Sequence, residues 1–467
     1  MLFLILAGLF LYLHNIYSGV QQIHKVSPSP RQLAWQKLEY IAFAHFGINT
    51  FTDREWGDGQ EDPALFNPTA FDADQWAEAC RDAGMKMLIL TAKHHDGFCL
   101  WPTAQTAHSV AASPWRKGQG DVVREVSAAC ERAGLKFGVY CSPWDRHEPS
   151  YGDSPAYNEF FRAQLHELLS DYGEIGEVWF DGACAEGPNG KRQEYDWQSY
   201  YEQVRRLQPD AVIAICGPDV RWVGNESGLA REDEWSVVPA SATDQAEVAA
   251  NFLDFDALGT DIGSRDKLEA ADRLIWYPAE CDVSIRPGWF YHGAEDLQVK
   301  SLEHLLDIYH RSVGRNSLLL LNVPPDVRGL LHEQDVARLR QLRATLDETY
   351  GTDLTRVLEQ DRDGRWDATD EQATLELDLG AERCFDRLLL QEDIEQGQRV
   401  EAFVLEAWHN DSWKPVVRGG CIGYKRLERF GRVTASRVRL RVEQARAPVR
   451  LLNLGLFCQS RGSGHGA

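Results

Sequence analysis

The sequence predicts an α/β protein: a (β/α)8-like barrel of the TIM type, with a doubly wound open parallel sheet as the rival arrangement, followed by a C-terminal antiparallel β-sandwich. Three observations carry this. First, the chain echoes itself. ACRDAGMKMLILTAKHH from Ala79 and ACERAGLKFGVYCSPWD from Ala129 each close an amphipathic helix, place Gly84 or Gly134 where a left-handed cap is needed, and then run into apolar residues. Second, near-continuous apolar runs alternate with helical patterns. Each run ends in a polar, aromatic-rich stretch instead of a tight turn, so the strands are joined by crossovers and lie parallel. Third, after about Thr352 short segments such as TLELDLG, EAFVLEAW and SRVRLRVE alternate apolar with polar residues between turn-formers. That is the pattern of antiparallel sheets with one buried face.

In chain order, the apolar run Leu2–Leu13 is too short to span a bilayer and reads as the h-region of a secretory signal, with small Ser18, Gly19 and Val20 after it. No Lys or Arg precedes the run, so an uncleaved anchor or a mis-assigned start is the alternative. Residues 1–22 are therefore expected to be a signal peptide or N-terminal anchor. The protein is expected to be exported to a periplasmic, lysosomal or extracellular compartment, and to be cytoplasmic if the segment does not direct export.

The barrel is expected over residues 30–350. Its strands are placed at YIAFAHFG from Tyr40, at the runs after Gly84 and Gly134, at EVWFDG from Glu177, AVIAICG from Ala211, LIWYPAE from Leu274 and SLLLLNVPP from Ser317. Helical periodicity covers Tyr157–Asp171, Asp196–Leu207 and Lys300–Val313, while Asp72 and Asp121 are placed to N-cap the two echoed helices. The sandwich is expected over 353–460, its Trp408 and Trp413 either packing inside it or stacking on a sugar, and the tail RGSGHGA, 461–467, is expected to be disordered.

Forty-nine basic residues against 71 acidic ones leave a net charge of −22, which disfavours nucleic acid phosphates and anionic membranes and suits a neutral partner such as a sugar. The ten cysteines form no CxxC pair and no Cys/His cluster at zinc spacing, so most are read as buried thiols.

Function in either α/β fold sits at the strand C-termini. The residues there are His45, then His94 and His95, then Tyr140 with Trp144, then Asp181, then Arg221–Glu226. Asp181 follows the apolar EVWF and precedes Gly182, so its side chain faces the mouth while the backbone turns away; a capping Asp is the competing reading. Glu226 lies in GPDVRWVGNESG, a glycine-rich loop after the fifth strand, where a plain solvated acid is the alternative. Two carboxylates on neighbouring strand ends are what glycoside hydrolysis requires, one to attack the anomeric carbon and one to protonate the departing oxygen. In KHHDGFCLW the paired histidines sit at a strand end. A hydrolytic metal on His45, His94, His95 and Asp96 is the rival, but no HExxH-like pairing supports it, and histidines that contact sugar hydroxyls, with aromatic walls at Trp56, Tyr140, Trp179 and Trp289, are preferred. No metal or cofactor is expected.

Five segments together resemble the family 29 α-L-fucosidases: HFGINTFTDREW (His45–Trp56), AKHHDGFCLW (Ala92–Trp101), EVWFDG (Glu177–Gly182), RWVGNESG (Arg221–Gly228) and SIRPGWFYH (Ser284–His292). The resemblance runs in order over Leu33–Pro325. It implies release of terminal α-L-fucose with retention, Asp181 as nucleophile and Glu226 as general acid/base. It also implies fucose contacts from His45, Glu55, His94, His95 and Tyr140, pocket walls from Trp56, Trp179 and Trp289, and a weaker role for Arg221. The RWVGNESG loop resembles the subgroup that acts on α-1,3 and α-1,4 branches, and the implied partner is a fucosylated oligosaccharide or glycoconjugate. The sugar's C5 methyl calls for apolar surface, for which Trp289 and Phe290 are candidates. A fucose-binding lectin without turnover and a broad-specificity α-L-fucosidase are the alternatives.

Overall fold

Met87–Lys93 is buried at all seven positions, and its sequence MLILTAK, with little polar alternation, suits a strand covered on both faces. The computed structural model describes residues 23–240, 259–271, 273–355 and 366–459. The readings of residues 1–22 and of the tail 461–467 fall outside them.

The chain runs through β1 (Tyr40–Ala44), β2 (Met87–Lys93), β3 (Lys136–Cys141), β4 (Glu177–Phe180), β5 (Val212–Ile215) and β6 (Arg221–Trp222). It then makes a separate antiparallel pair, β7 (Val237–Ala240) with β8 (Arg273–Trp276), before β9 (Ala279–Ser284) and β10 (Leu318–Asn322). Apart from that pair these strands form one parallel sheet in the order β5-β4-β3-β2-β1-β10-β9-β6, a barrel open only between β5 and β6. Helices α1 (Pro30–Gln36), α2 (Ala73–Asp82), α3 (Val122–Ala133), α4 (Ser154–Asp171), α5 (Trp197–Leu207), α6 (Leu302–Arg311) and α7 (Glu333–Tyr350) accompany it.

The echoed units fold as the sequence predicts. Asp72 accepts from the Gln75 N–H and Asp121 from the Arg124 N–H, while Gly84 and Gly134 hold φ of +86° and +72° beyond the helix ends. Side-chain parity then sorts the strands. Ile41, Phe43, Ile89, Tyr140 and Trp179 fill the barrel interior, whereas Ala42, Leu88, Leu90, Val139 and Phe180 pack outward against the helices. His45 and Asp181 continue the inward parity of Phe43 and Trp179, and so open onto the mouth.

Two strand assignments differ from expectation. LIWYPAE divides: Arg273–Trp276 leaves the barrel to pair with β7, and the barrel strand starts at Ala279. Conversely Arg221–Trp222, expected to be loop, pairs with Ala279–Glu280 as the shortest barrel strand. Only Cys216–Val220 separates β5 from β6, too short for a crossover helix. Gly217 makes this link feasible, because a Cβ there would lie 2.4 Å from the Ile213 carbonyl oxygen.

The C-terminal domain is an antiparallel sheet. Its strands are β11 (Trp366–Asp367), β12 (Ala373–Glu392), β13 (Val400–His409), β14 (Ser412–Gly419), β15 (Arg426–Ala445) and β16 (Arg450–Phe457), hydrogen-bonded in the order β11-β16-β12-β15-β13-β14. Register shifts interrupt the pairing of the two twenty-residue strands, β12 and β15, between Asp378 and Arg383 and again before Arg387; such bulges bend a strand. The half-buried Trp408 and Trp413 meet edge to face, and the guanidinium of Arg437 lies 5.1 Å and 5.4 Å from their ring centres. Seven of the ten cysteines are buried and none is in a disulfide.

Candidate active site

Asp181 follows directly on β4, with 22% of its side chain exposed. Its Oδ2 accepts from the Tyr140 hydroxyl at 2.9 Å and its Oδ1 from the Ala183 N–H at 2.7 Å. Burial, and next the nearby Asp181 charge, push the Tyr140 phenol well above its ordinary value, so Tyr140 stays a donor. Beneath it Trp179 stacks on the Tyr140 ring, centroids 5.2 Å apart, and donates from its indole to the buried Glu280 at 2.8 Å.

Three histidines form the neighbouring wall, and burial is the largest cause lowering all of them. His45 falls to about 3, His94 well below the ordinary value, and His95 below it although the Asp181 charge opposes the shift. They are therefore neutral at neutral pH. Asn322 donates through Nδ2 to Ser284 Oγ and the Trp289 carbonyl, which turns its Oδ1 toward His45 Nδ1 at 2.9 Å. His45 thus keeps its proton on Nδ1 and leaves Nε2 as an acceptor. Ser142 Oγ donates to the Trp144 carbonyl, so His95 Nδ1 donates to Ser142 Oγ at 2.7 Å, and its Nε2 sits 3.8 Å from Asp181 Oδ2, beyond hydrogen-bond range.

Glu226 enters from the loop after β6. Asn225 caps Ser227 N at 3.0 Å and donates to the Leu229 carbonyl at 2.8 Å, forming a turn that leaves Glu226 exposed, and the Trp289 indole donates to Glu226 Oε2 at 3.3 Å. Glu55 accepts from Trp289 N at 2.9 Å and Phe290 N at 3.1 Å. Trp56, 55% exposed, stands edge-on to His95 at the rim.

His45, Glu55, Trp56, His94, His95, Tyr140, Trp179, Asp181, Glu226 and Trp289 all line this one pocket, together with Phe43, Ala183 and Asp282. Arg221 does not join them. It is fully buried, donating to the Tyr277 and Trp235 carbonyls at 2.8 Å each and pairing with Glu234, because as a barrel strand its parity turns it away from the mouth. Phe290 is also fully buried, edge-on behind His45 and His94, so Trp289 alone of that pair reaches the pocket.

Sequence reasoning missed Asp282, whose Oδ1 accepts from the Trp222 indole at 2.8 Å and whose carboxyl burial pushes well above its ordinary value. Its only signal is its place between Glu280 and Ser284 in the polar alternation of AECDVS. It also missed Asn322 and Ser142, which orient two of the histidines.

Asp96, proposed among rival metal ligands, instead accepts from Phe98 N at 2.7 Å, and among the described residues no three His, Cys, Asp or Glu side chains are grouped to hold a metal ion. A groove of about 460 Å³ lies at the other end of the barrel, by the starts of β3 and β4, but its Lys136 and Glu174 are already paired at 3.1 Å.

Residues 21–349 match the family model described as alpha-L-fucosidase. The chain is 42% identical to alpha-L-fucosidase 1 of Arabidopsis thaliana, over 92% of this chain and 87% of the relative. Among solved structures, a Bacteroides ovatus protein is 51% identical with a TM-score of 0.90, covering 97% of this chain and 77% of that one. A Ruminococcus gnavus family 29 fucosidase in complex with fucose is 31% identical with a TM-score of 0.81, covering 94% and 96%. The chain belongs to the family 29 α-L-fucosidases.

Proposed function

We propose that this fucosidase is a retaining exo-enzyme that removes terminal α-1,3- and α-1,4-linked L-fucose from glycans, with Asp181 as nucleophile and Glu226 as general acid/base. The observation that carries the assignment is the contrast between two carboxylates on one pocket: Asp181 fixed by two donors at a strand end, Glu226 on an exposed turn where, among the described residues, an indole N–H is its one hydrogen-bond donor. The first suits in-line attack at a fixed point, the second a proton shuttle at the aglycone side. The linkage preference rests on the resemblance of RWVGNESG to the subgroup acting on such branches.

In the first step an Asp181 oxygen bonds to C1 as the C1–O bond to the aglycone breaks, and Glu226 gives its proton to the departing oxygen. Glu226, now a base, takes a proton from water as that water attacks C1 and frees Asp181, so both displacements together preserve the anomeric configuration. Neutral histidines suit this pocket because each can accept from one sugar hydroxyl without adding positive charge beside the nucleophile.

Two measurements test the reading. Glu226→Ala is expected to lose activity on natural glycans by about 10²–10⁴-fold while keeping much more on aryl fucosides, whose leaving groups need little protonation. Equal retention on both substrates would remove Glu226 from the role. Fucose release from α-1,2, α-1,3, α-1,4 and α-1,6 linked oligosaccharides tests the linkage, and exclusive α-1,2 or α-1,6 cleavage would overturn it.

A further inference from the structure

His292 closes SIRPGWFYH and has no part in the assignments above. Its two ring nitrogens both meet carboxylates: Nδ1 lies 2.6 Å from Asp53 Oδ1 and Nε2 lies 2.8 Å from Glu55 Oε1. A neutral imidazole has one N–H and can satisfy only one such acceptor, whereas the imidazolium satisfies both. Burial opposes the charge, but the bonds to Asp53 and Glu55 outweigh it and raise the ring above its ordinary value. The charged groups facing it are Asp53 and Glu55, both from the 45–56 segment; on its own loop the Glu295 carboxylate is engaged by the Gly288 N–H at 3.1 Å.

The consequence reaches the pocket. Glu55 holds the Trp289 and Phe290 amides, and Trp289 both walls the pocket and donates to Glu226. Gly288 is what lets these groups close up, since a Cβ there would stand 2.6 Å from Glu55 Oε1 and 2.9 Å from His292 Cδ2.

We propose that His292, as an imidazolium donating from both ring nitrogens, is a positioning residue that ties the loop carrying Trp289 to the 45–56 segment and so fixes one wall of the fucose pocket. The proposal rests on the reading that this pocket binds fucose. Because the folded ring titrates above its ordinary value, the tie is fully present below about pH 6.5 and is lost as pH rises through the raised value.

The test reads L-fucose affinity by calorimetry and the His292 ring by NMR, neither of which needs turnover. His292 is expected to titrate above 6.5. Fucose affinity is expected to weaken about tenfold in His292→Phe at pH 6, where both of the ring's charge-assisted hydrogen bonds are lost, and to weaken in the wild type as pH rises through that titration. Asp53→Asn, at a side chain 79% exposed, removes one of the two carboxylates without threatening the fold and is expected to lower the ring's titration and bring the affinity loss to lower pH. A ring titrating below 6.5, or a folded His292→Phe that binds fucose at pH 6 as tightly as wild type, overturns the proposal. His45→Ala separates the two readings. If it weakens fucose while His292→Phe does not, only the His292 proposal falls; if it leaves affinity unchanged, the pocket reading falls and takes the proposal with it.

Discussion

Tyr140 decides what Asp181 can do. The phenol is fully buried, its proton is held by burial and by the adjacent carboxylate, and its ring is trapped between His94 and Trp179. It is therefore a fixed donor that cannot swing away or ionise near neutral pH, and it holds Asp181 Oδ2 in place before a sugar arrives. Tyr140→Phe keeps the stack and deletes only the donor. A hydrogen bond to a charged group is worth about 1.5–3 kcal/mol, so kcat/KM on an aryl fucoside should fall by about ten- to a hundredfold with the melting temperature little changed. Unchanged kcat/KM would mean that the Ala183 N–H alone positions the proposed nucleophile. The inward residues were legible from the sequence because parity is a local property: once Phe43 and Trp179 face inward, His45 and Asp181 must follow. His292 and Asn322 were not, since their importance lies in partners hundreds of positions away, Asp53 at 239 and His45 at 277 residues' separation.

At the scale of elements, the loop from β6 carries the design. Arg221–Trp222 is too short to show any periodicity, and it becomes a strand only because β9 offers it a neighbour. The same non-local rule misplaced LIWYPAE, whose apolar run is real but is spent partly on the separate β7–β8 pair. Longer runs, each covered on both faces, left no such ambiguity. Beyond Glu226 the loop is anchored by Gly228, which holds φ +70° with so little room that a Cβ would lie 2.8 Å from Val283 Cγ1 and 2.9 Å from Ile308 Cγ2. Gly228→Ala forces both a left-handed alanine and a clash with two buried chains. The expected cost is about 2–4 kcal/mol of stability, or a displaced turn that carries Glu226 off its contact with Trp289. The second outcome shows as a larger loss on glycans than on aryl fucosides at a temperature where the protein is folded. A variant with wild-type stability and the wild-type ratio of the two activities would show that the turn does not depend on Gly228.

Across the whole molecule, the C-terminal sheet reaches the catalytic barrel through charge. Arg446, with none of its side chain exposed, donates to Glu401 at 2.9 Å and to the Gly263 carbonyl at 2.6 Å, and its guanidinium lies 3.9 Å from the Trp235 ring centre. Arg265, from the barrel side, meets the other Glu401 oxygen at 2.6 Å. The Trp235 carbonyl in turn accepts from Arg221, the residue that opens β6 and leads to Glu226. The sheet thus buttresses the segment that carries the proposed acid/base, which explains why Arg221, though buried away from the sugar, stands in the same motif as Glu226. Removing one partner of a buried ion pair leaves the other charge uncompensated, at a cost of about 3–5 kcal/mol. Glu401→Gln is accordingly expected to lower unfolding free energy by that order in a denaturant titration, and to lose glycan cleavage on warming before secondary structure melts, as β6 loosens ahead of the barrel. If activity and circular dichroism instead disappear at one temperature, the sheet contributes to global stability alone and the buttress from Arg446 through Trp235 to β6 carries no local load.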